Sequence, residues 1–283
     1  MRALQRRTLR GIADTLALGR WRAFGLYVRS LSSFSAFTLD YLVMCRRGTA
    51  EIERRIAGLS IQGLEHMEQA LASGRPILVT TMHMGNFQLG FLKLVDRLRP
   101  ARTLSVFKMS LNDRNEDVLF QAFAKLGCPP TAMRAGEDGG RQAYLALRKG
   151  DIVAITIDLE LQVKSRSVVR FFDRPCHMQN GPATIAALTR ALIVPVVNYE
   201  DRSGRAIVRV EPPVETDIRA TGETMPIAIQ RLTQHLAATL ERWIRIDPRQ
   251  VHAWSAIAET LACPLPPAPE AAPAAAEATT APG

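Results

Sequence analysis

Between residues 50 and 257 short apolar runs alternate with stretches of helical character. The pattern predicts helices over residues 50–57, 63–73, 87–98, 117–126, 141–148, 181–192 and 225–246. It predicts strands over residues 76–80, 103–107, 151–157, 168–172, 193–199 and 206–210. Residues 151–157 are apolar and β-branched, which marks a strand buried on both faces and ending at Asp158. Gly150 suits the end of the helix before it, and Pro182 suits the first turn of a helix. Residues 201–204 supply the turn between the last two strands. Strands alternating with helices predict an α/β fold with a mostly parallel central sheet flanked by helices.

The pattern changes at both ends. In the first thirty residues Arg2, Arg6, Arg7, Arg10, Arg20, Arg22 and Arg29 are opposed only by Asp14. Leu4, Leu9, Ile12, Leu16, Leu18 and Phe24 are interleaved with them, so residues 1–49 read as a basic amphipathic helical segment. No apolar run reaches the length of about 18 residues that a membrane-spanning helix needs, and no signal peptide is evident. Two roles fit this segment: an interfacial helix drawn to anionic lipid, or a helix packed on the domain with its arginines in water. Residues 50–263 form the α/β domain. Residues 264–283 are mainly Pro, Ala, Glu and Thr, a composition that buries too little to offset ordering entropy, so they are expected to be disordered.

Composition narrows the chemistry. The chain has 283 residues, is 47% hydrophobic and carries a formal net charge of +9. That charge favours an acidic partner: nucleic acid, anionic headgroups or an acidic carrier protein. With 6% aromatics and no nucleic-acid-binding motif, nucleic acid is the weakest of the three. The four cysteines form neither a disulfide framework nor a zinc site, which fits a reducing compartment. Phosphate-binding and dinucleotide-binding glycine motifs and the serine nucleophile elbow are absent, so no cofactor is expected.

One histidine stands out. His83 follows the predicted strand 76–80 and precedes Gly85, Asn86 and a predicted helix. Ligands of open α/β sheets gather at the carboxyl ends of strands, and imidazole can take a proton from a hydroxyl near neutral pH. Asp158 ends another strand and is either a site residue or a turn cap. Asn86 either places substrate or shapes the turn, and Lys108 either binds a phosphate or is simply solvated. Arg170 and Arg174 are either surface charges or part of a carrier-docking face. Met82, Met84 and Met109 suit core packing or an acyl groove. His66, His177, His235 and His252 have no evident partner and read as structural.

These residues resemble the bacterial lipid A late acyltransferases, within the wider lysophospholipid and glycerol-phosphate acyltransferase superfamily. The resemblance runs through Leu59, Gly74-Arg75-Pro76 and His83, the segment from Ala146 to Asp158, Phe171-Phe172-Asp173-Arg174-Pro175, Gly181-Pro182-Ala183, residues 193–197 and Trp254. It implies transfer of a fatty acyl chain from acyl-carrier protein or acyl-coenzyme A to a hydroxyl or amine of a lipid or specialised metabolite. It also implies His83 as general base, direct transfer without an acyl-enzyme, and a cytoplasmic protein peripheral to the inner face of the membrane. Backbone N–H groups near Gly85 are the expected oxyanion donors.

Two positions depart from the family. Gln88 stands where the family has the carboxylate that orients the histidine, and its carbonyl oxygen is the expected substitute acceptor. Lys125 stands approximately where the family has an arginine. Gln88 leaves three readings: a slower acyltransferase, one whose His83 has another partner, or a non-catalytic acyl-chain or carrier-binding protein. Asp158 and Glu160 are the carboxylates expected to stand in for it.

Overall fold

The computed structural model describes residues 2–99, 102–108, 117–134, 138–158 and 165–262. The expected disordered tail, Met109 and Glu160 lie outside them, as does the side chain of Lys108. The helices are α1 (Arg2–Leu16), α2 (Arg20–Arg47), α3 (Thr49–Ala57), α4 (Leu64–Ala72), α5 (Phe87–Leu98), α6 (Asp117–Lys125), α7 (Gly139–Arg148), α8 (Gly181–Thr189), α9 (Ile218–Thr221), α10 (Met225–Ile246) and α11 (Trp254–Ala262). The strands are β1 (Ser60–Gln62), β2 (Ile77–Thr81), β3 (Leu104–Lys108), β4 (Thr131–Arg134), β5 (Ile152–Thr156), β6 (Arg166–Phe171), β7 (Arg174–Gln179), β8 (Leu192–Glu200) and β9 (Ala206–Val210).

Seven strands form one sheet in the order β1-β9-β8-β2-β5-β3-β4, and only the β8–β9 pair is antiparallel. β6 and β7 form a separate antiparallel hairpin. The sheet is covered on both faces, which explains why its central strands are mainly apolar runs instead of alternating. Along β8, Ile193 and Val197 join a core with α7, α8, α10 and α11, while Leu192, Val194 and Val196 join a second core with α3, α4, α5 and α6. β2 is buried at every residue and lies between β5 and β8. The mostly parallel α/β fold expected from the pattern is therefore present.

The amino-terminal segment is two helices. α1 packs against α11 and α2, with Ile12 fully buried and Gly11 so close to Ala258 that a Cβ there would stand 2.3 Å from the Ala258 Cβ. α2 is different: Trp21, Phe24, Val28, Leu31, Leu39 and Leu42 are exposed. Their spacing places them along one broad stripe of the helix. No helix among the described residues is long and apolar enough to cross a membrane.

Close approach of α5 to β8 fixes the site side of the sheet. A Cβ on Gly90 would fall 1.6 Å from Oδ1 of the buried Asn198. Gly90→Val should therefore cost about 1–3 kcal/mol through overpacking. Gly25→Ala, with nothing within 4 Å of the added Cβ, should instead stabilise α2 by up to about 1 kcal/mol. Chemical denaturation of both variants measures the contrast; a Gly90→Val protein as stable as wild type would contradict the packing described.

Candidate active site

β2 and β5 are parallel neighbours, pairing Ile77 with Ile152 and Thr81 with Thr156. Every pair in that ladder is 75 residues apart in sequence, and so are His83 and Asp158. The ladder continues past the strands, where the Ile157 N–H donates to the Thr81 carbonyl at 2.9 Å. His83 and Asp158 thus leave adjacent strands at the same level, at their carboxyl ends.

Asp158 holds His83 at two points. Its Oδ2 accepts the His83 backbone N–H at 2.8 Å, and its Oδ1 lies 2.9 Å from His83 Nδ1. The carboxylate only accepts, so Nδ1 carries the hydrogen and Nε2 keeps its lone pair. The Asp158 side chain is fully buried, whereas that of His83 is 32% exposed. Burial opposes protonation of His83, but the hydrogen bond and negative charge of Asp158 outweigh it and raise its pKa above the ordinary value. Phe87 meets the imidazole edge-on, with ring centroids 5.1 Å apart.

The turn after His83 is held in place by main-chain bonds. Gly85 adopts a left-handed φ of +54°, and an added Cβ would lie 2.8 Å from the Asn198 carbonyl oxygen. Asn86 caps α5, its Oδ1 accepting the Leu89 N–H at 3.3 Å, while its Nδ2 is buried without a hydrogen-bond partner among the described residues. Of the N–H groups near Gly85, that of Gly85 itself is engaged, donating to the Gln250 carbonyl at 3.3 Å.

Gln88 is not the partner of His83. It lies in the first turn of α5, and its carbonyl oxygen is buried without a hydrogen-bond partner among the described residues. Asp158 occupies the imidazole Nδ1 that the amide was expected to satisfy. Lys125 pairs with Glu53 of α3 at 2.6 Å on the surface, so its charge is engaged there and not at the dyad. Lys108 ends β3, separated from β2 by β5. Arg170 pairs with Asp173 at 3.0 Å, and Met82 and Met84 are fully buried core residues.

The sequence reading missed His252. Its backbone N–H donates to the His83 carbonyl at 2.8 Å. Its ring sits beside Phe34 and Phe37 of α2, at centroid distances of 5.5 and 5.1 Å. Phe37 in turn stacks on Phe87 at 5.7 Å. No sequence spacing announces this contact, because it depends on where the chain returns after α10. Among the described residues no group of histidines, cysteines and acids is arranged to hold a metal ion.

Comparison with known proteins agrees with this architecture. Two phosphatidylinositol mannoside acyltransferases, from two strains of Mycobacterium tuberculosis, are each 23% identical over 243 residues, covering 84% of this chain and 71% of theirs. The profile of bacterial lipid A biosynthesis acyltransferases matches residues 26–254, from the middle of α2 to the start of α11, taking in the whole sheet and both members of the His83–Asp158 pair. The chain belongs to the bacterial lipid A biosynthesis acyltransferase family and is an acyltransferase of lipid biosynthesis.

Proposed function

We propose that the protein moves a fatty acyl group from a carrier-protein or coenzyme A thioester to a hydroxyl of a lipid at an anionic membrane surface, with His83 as general base. The His83–Asp158 contact carries this reading. Nε2 of His83 takes the acceptor proton as the acceptor oxygen attacks the thioester carbonyl. The buried Asp158 fixes the tautomer and stabilises the imidazolium that forms. Collapse of the intermediate expels the thiolate, which receives the proton from His83. A glycosylated phospholipid is the acceptor class suggested by the name of the mycobacterial relatives. With a carboxylate already on His83, the neutral Gln88 gives no ground for preferring a non-catalytic binding protein.

Two surfaces support the proposed partners. A surface cavity of about 430 Å³ is lined by Arg6, Arg7, Arg10 and Arg174, with Asp14 the acidic member. This fits the phosphates of coenzyme A or an acidic carrier, and such charge mainly speeds association. The apolar stripe of α2, with Trp21 77% and Leu39 63% exposed, suits burial at the headgroup–acyl boundary. Arg20, Arg22, Arg46 and Arg47 at the two ends of the helix supply attraction to anionic lipid. Phe34 and Phe37 of the same helix reach the aromatic contacts around His83, so the surface that meets lipid adjoins the site that acylates it. On this reading the protein works peripherally at the inner face of the cytoplasmic membrane.

Three outcomes test the proposal. Asp158→Asn should lower kcat by roughly 10⁴, as loss of the carboxylate does in hydroxyl–imidazole–carboxylate systems, whereas Gln88→Glu should give no acceleration. A large gain from Gln88→Glu would show that Asp158 is not the working partner.

The neutral form of His83 is the base, and its pKa is raised. kcat/KM should therefore climb with pH through an acid limb lying above the ordinary histidine value of about 6.5. Removing the Asp158 charge should move that limb to lower pH. A limb unmoved in the residual activity of Asp158→Asn would assign it to another group.

Replacing Trp21 and Leu39 together by Glu should weaken sedimentation with anionic vesicles while sparing acylation of a detergent-dispersed acceptor. Wild-type binding should fall with salt, because exposed charges are screened over ~10 Å at 0.1 M. Unchanged vesicle binding by the double variant would place the membrane contact elsewhere.

A further inference from the structure

We propose that His252 is a second catalytic residue of this site, donating a hydrogen bond from its neutral Nε2–H to the thioester carbonyl oxygen as that oxygen takes on negative charge. The inference rests on the acyl-transfer reading above and adds the group that receives the developing oxyanion.

The placement of His252 is over-determined. Asp247 opens a tight turn by accepting the Arg249 N–H at 3.0 Å. The chain then runs beside the His83 turn, with Gln250 accepting from Gly85, Val251 bridging to Met84, and His252 donating to the His83 carbonyl. Ser30 of α2 donates to the Val251 carbonyl at 2.5 Å. The Trp254 indole N–H closes the segment onto the Pro248 carbonyl at 3.0 Å. A group carried on so fixed a strap costs little reorganisation when it meets a substrate.

Two properties of the ring fit a donor and not a second base. Nε2 is buried without a hydrogen-bond partner among the described residues. An unpaired buried polar atom is costly, and in a native protein it calls for an explanation such as a substrate atom that completes it. Burial, reinforced by the positive charge of a protonated His83 and only partly opposed by Asp158, lowers the His252 pKa to about 4. The imidazole therefore stays neutral while His83 becomes cationic. A neutral imidazole polarising a carbonyl is an established catalytic device.

Two backbone donors of the His83 turn are already engaged. The Gly85 N–H is already bonded to Gln250, and the His83 N–H to Asp158. In the proposed step His83 Nε2 takes the acceptor proton and the acceptor oxygen bonds to the carbonyl carbon. The carbonyl electron pair moves onto its oxygen, which accepts from His252. The pair then returns, the carbon–sulfur bond breaks, and the thiolate takes the proton from His83. His252 begins and ends neutral.

The test uses the full chain with a carrier-protein or coenzyme A thioester, a detergent-dispersed lipid acceptor, and separately water as the only acceptor. His252→Phe keeps a ring packed beside Phe34 and Phe37 but removes the ring nitrogens. It should lower kcat about 100- to 1,000-fold, the usual effect of losing one oxyanion donor. Acceptor KM should hold, and thioester hydrolysis should fall by the same factor. His252→Gln, which retains an N–H at similar reach, should recover part of both activities. The proposal is overturned by a His252→Phe enzyme within about threefold of wild type, less than 1 kcal/mol of barrier. It is equally overturned by a raised acceptor KM with kcat intact, or by a folded His252→Gln as inactive as His252→Phe. A wild type that neither transfers nor hydrolyses overturns the acyl-transfer reading itself, so the two failures are distinguishable.

Discussion

The site depends on a backbone ladder more than on any side chain. The β2–β5 register sets Asp158 level with His83, and the carboxylate then bonds both the imidazole and its own main-chain N–H. A one-residue slip would turn every inward residue of β2 to the opposite face. It would also separate the two members of the His83–Asp158 pair. The two cores that enclose the sheet, one on each face, therefore hold the geometry of this pair as well as the fold.

The same ladder explains why position 88 can carry an amide. The resemblance placed a carboxylate on the helix after the histidine; the carboxylate that contacts His83 instead lies at the end of a neighbouring strand. Gln88 is consistent with a His83 whose carboxylate partner, Asp158, is already in place. The buried Asn198 side chain behind Gly90 and the capping Asn86 make this end of α5 polar, but neutral.

Much of the architecture was legible because a doubly covered parallel sheet writes its strands as short apolar runs. β2, β5, β8 and β9 and helices α5 and α10 fall where the pattern puts them. β1 and β4 were invisible: three and four residues carry too little periodicity to announce a strand. β7 contains Pro175 and pairs only within its hairpin, so it reads as loop. The break between α1 and α2 was missed because composition is basic on both sides of it. The strand-end placement of Asp158 was legible, and Asp158 and Glu160 were the carboxylates expected beside His83, but one sequence does not say which strands are neighbours and so could not choose between them. The local spacing from His83 to Gln88 pointed instead to the wrong acceptor. His252 offered no signal at all, because its contact depends on the return of the chain after α10.

The chain order of the site has a consequence for biogenesis. His83 leaves the ribosome long before Asp158, and His252 follows only after the long α10. Contacts so distant in sequence form late, once the loops between them have closed. An emerging chain therefore exposes an ordinary loop imidazole, without the carboxylate that fixes its tautomer. The pair on which the proposed chemistry rests therefore forms only when the sheet is complete, so incompletely made chains lack it.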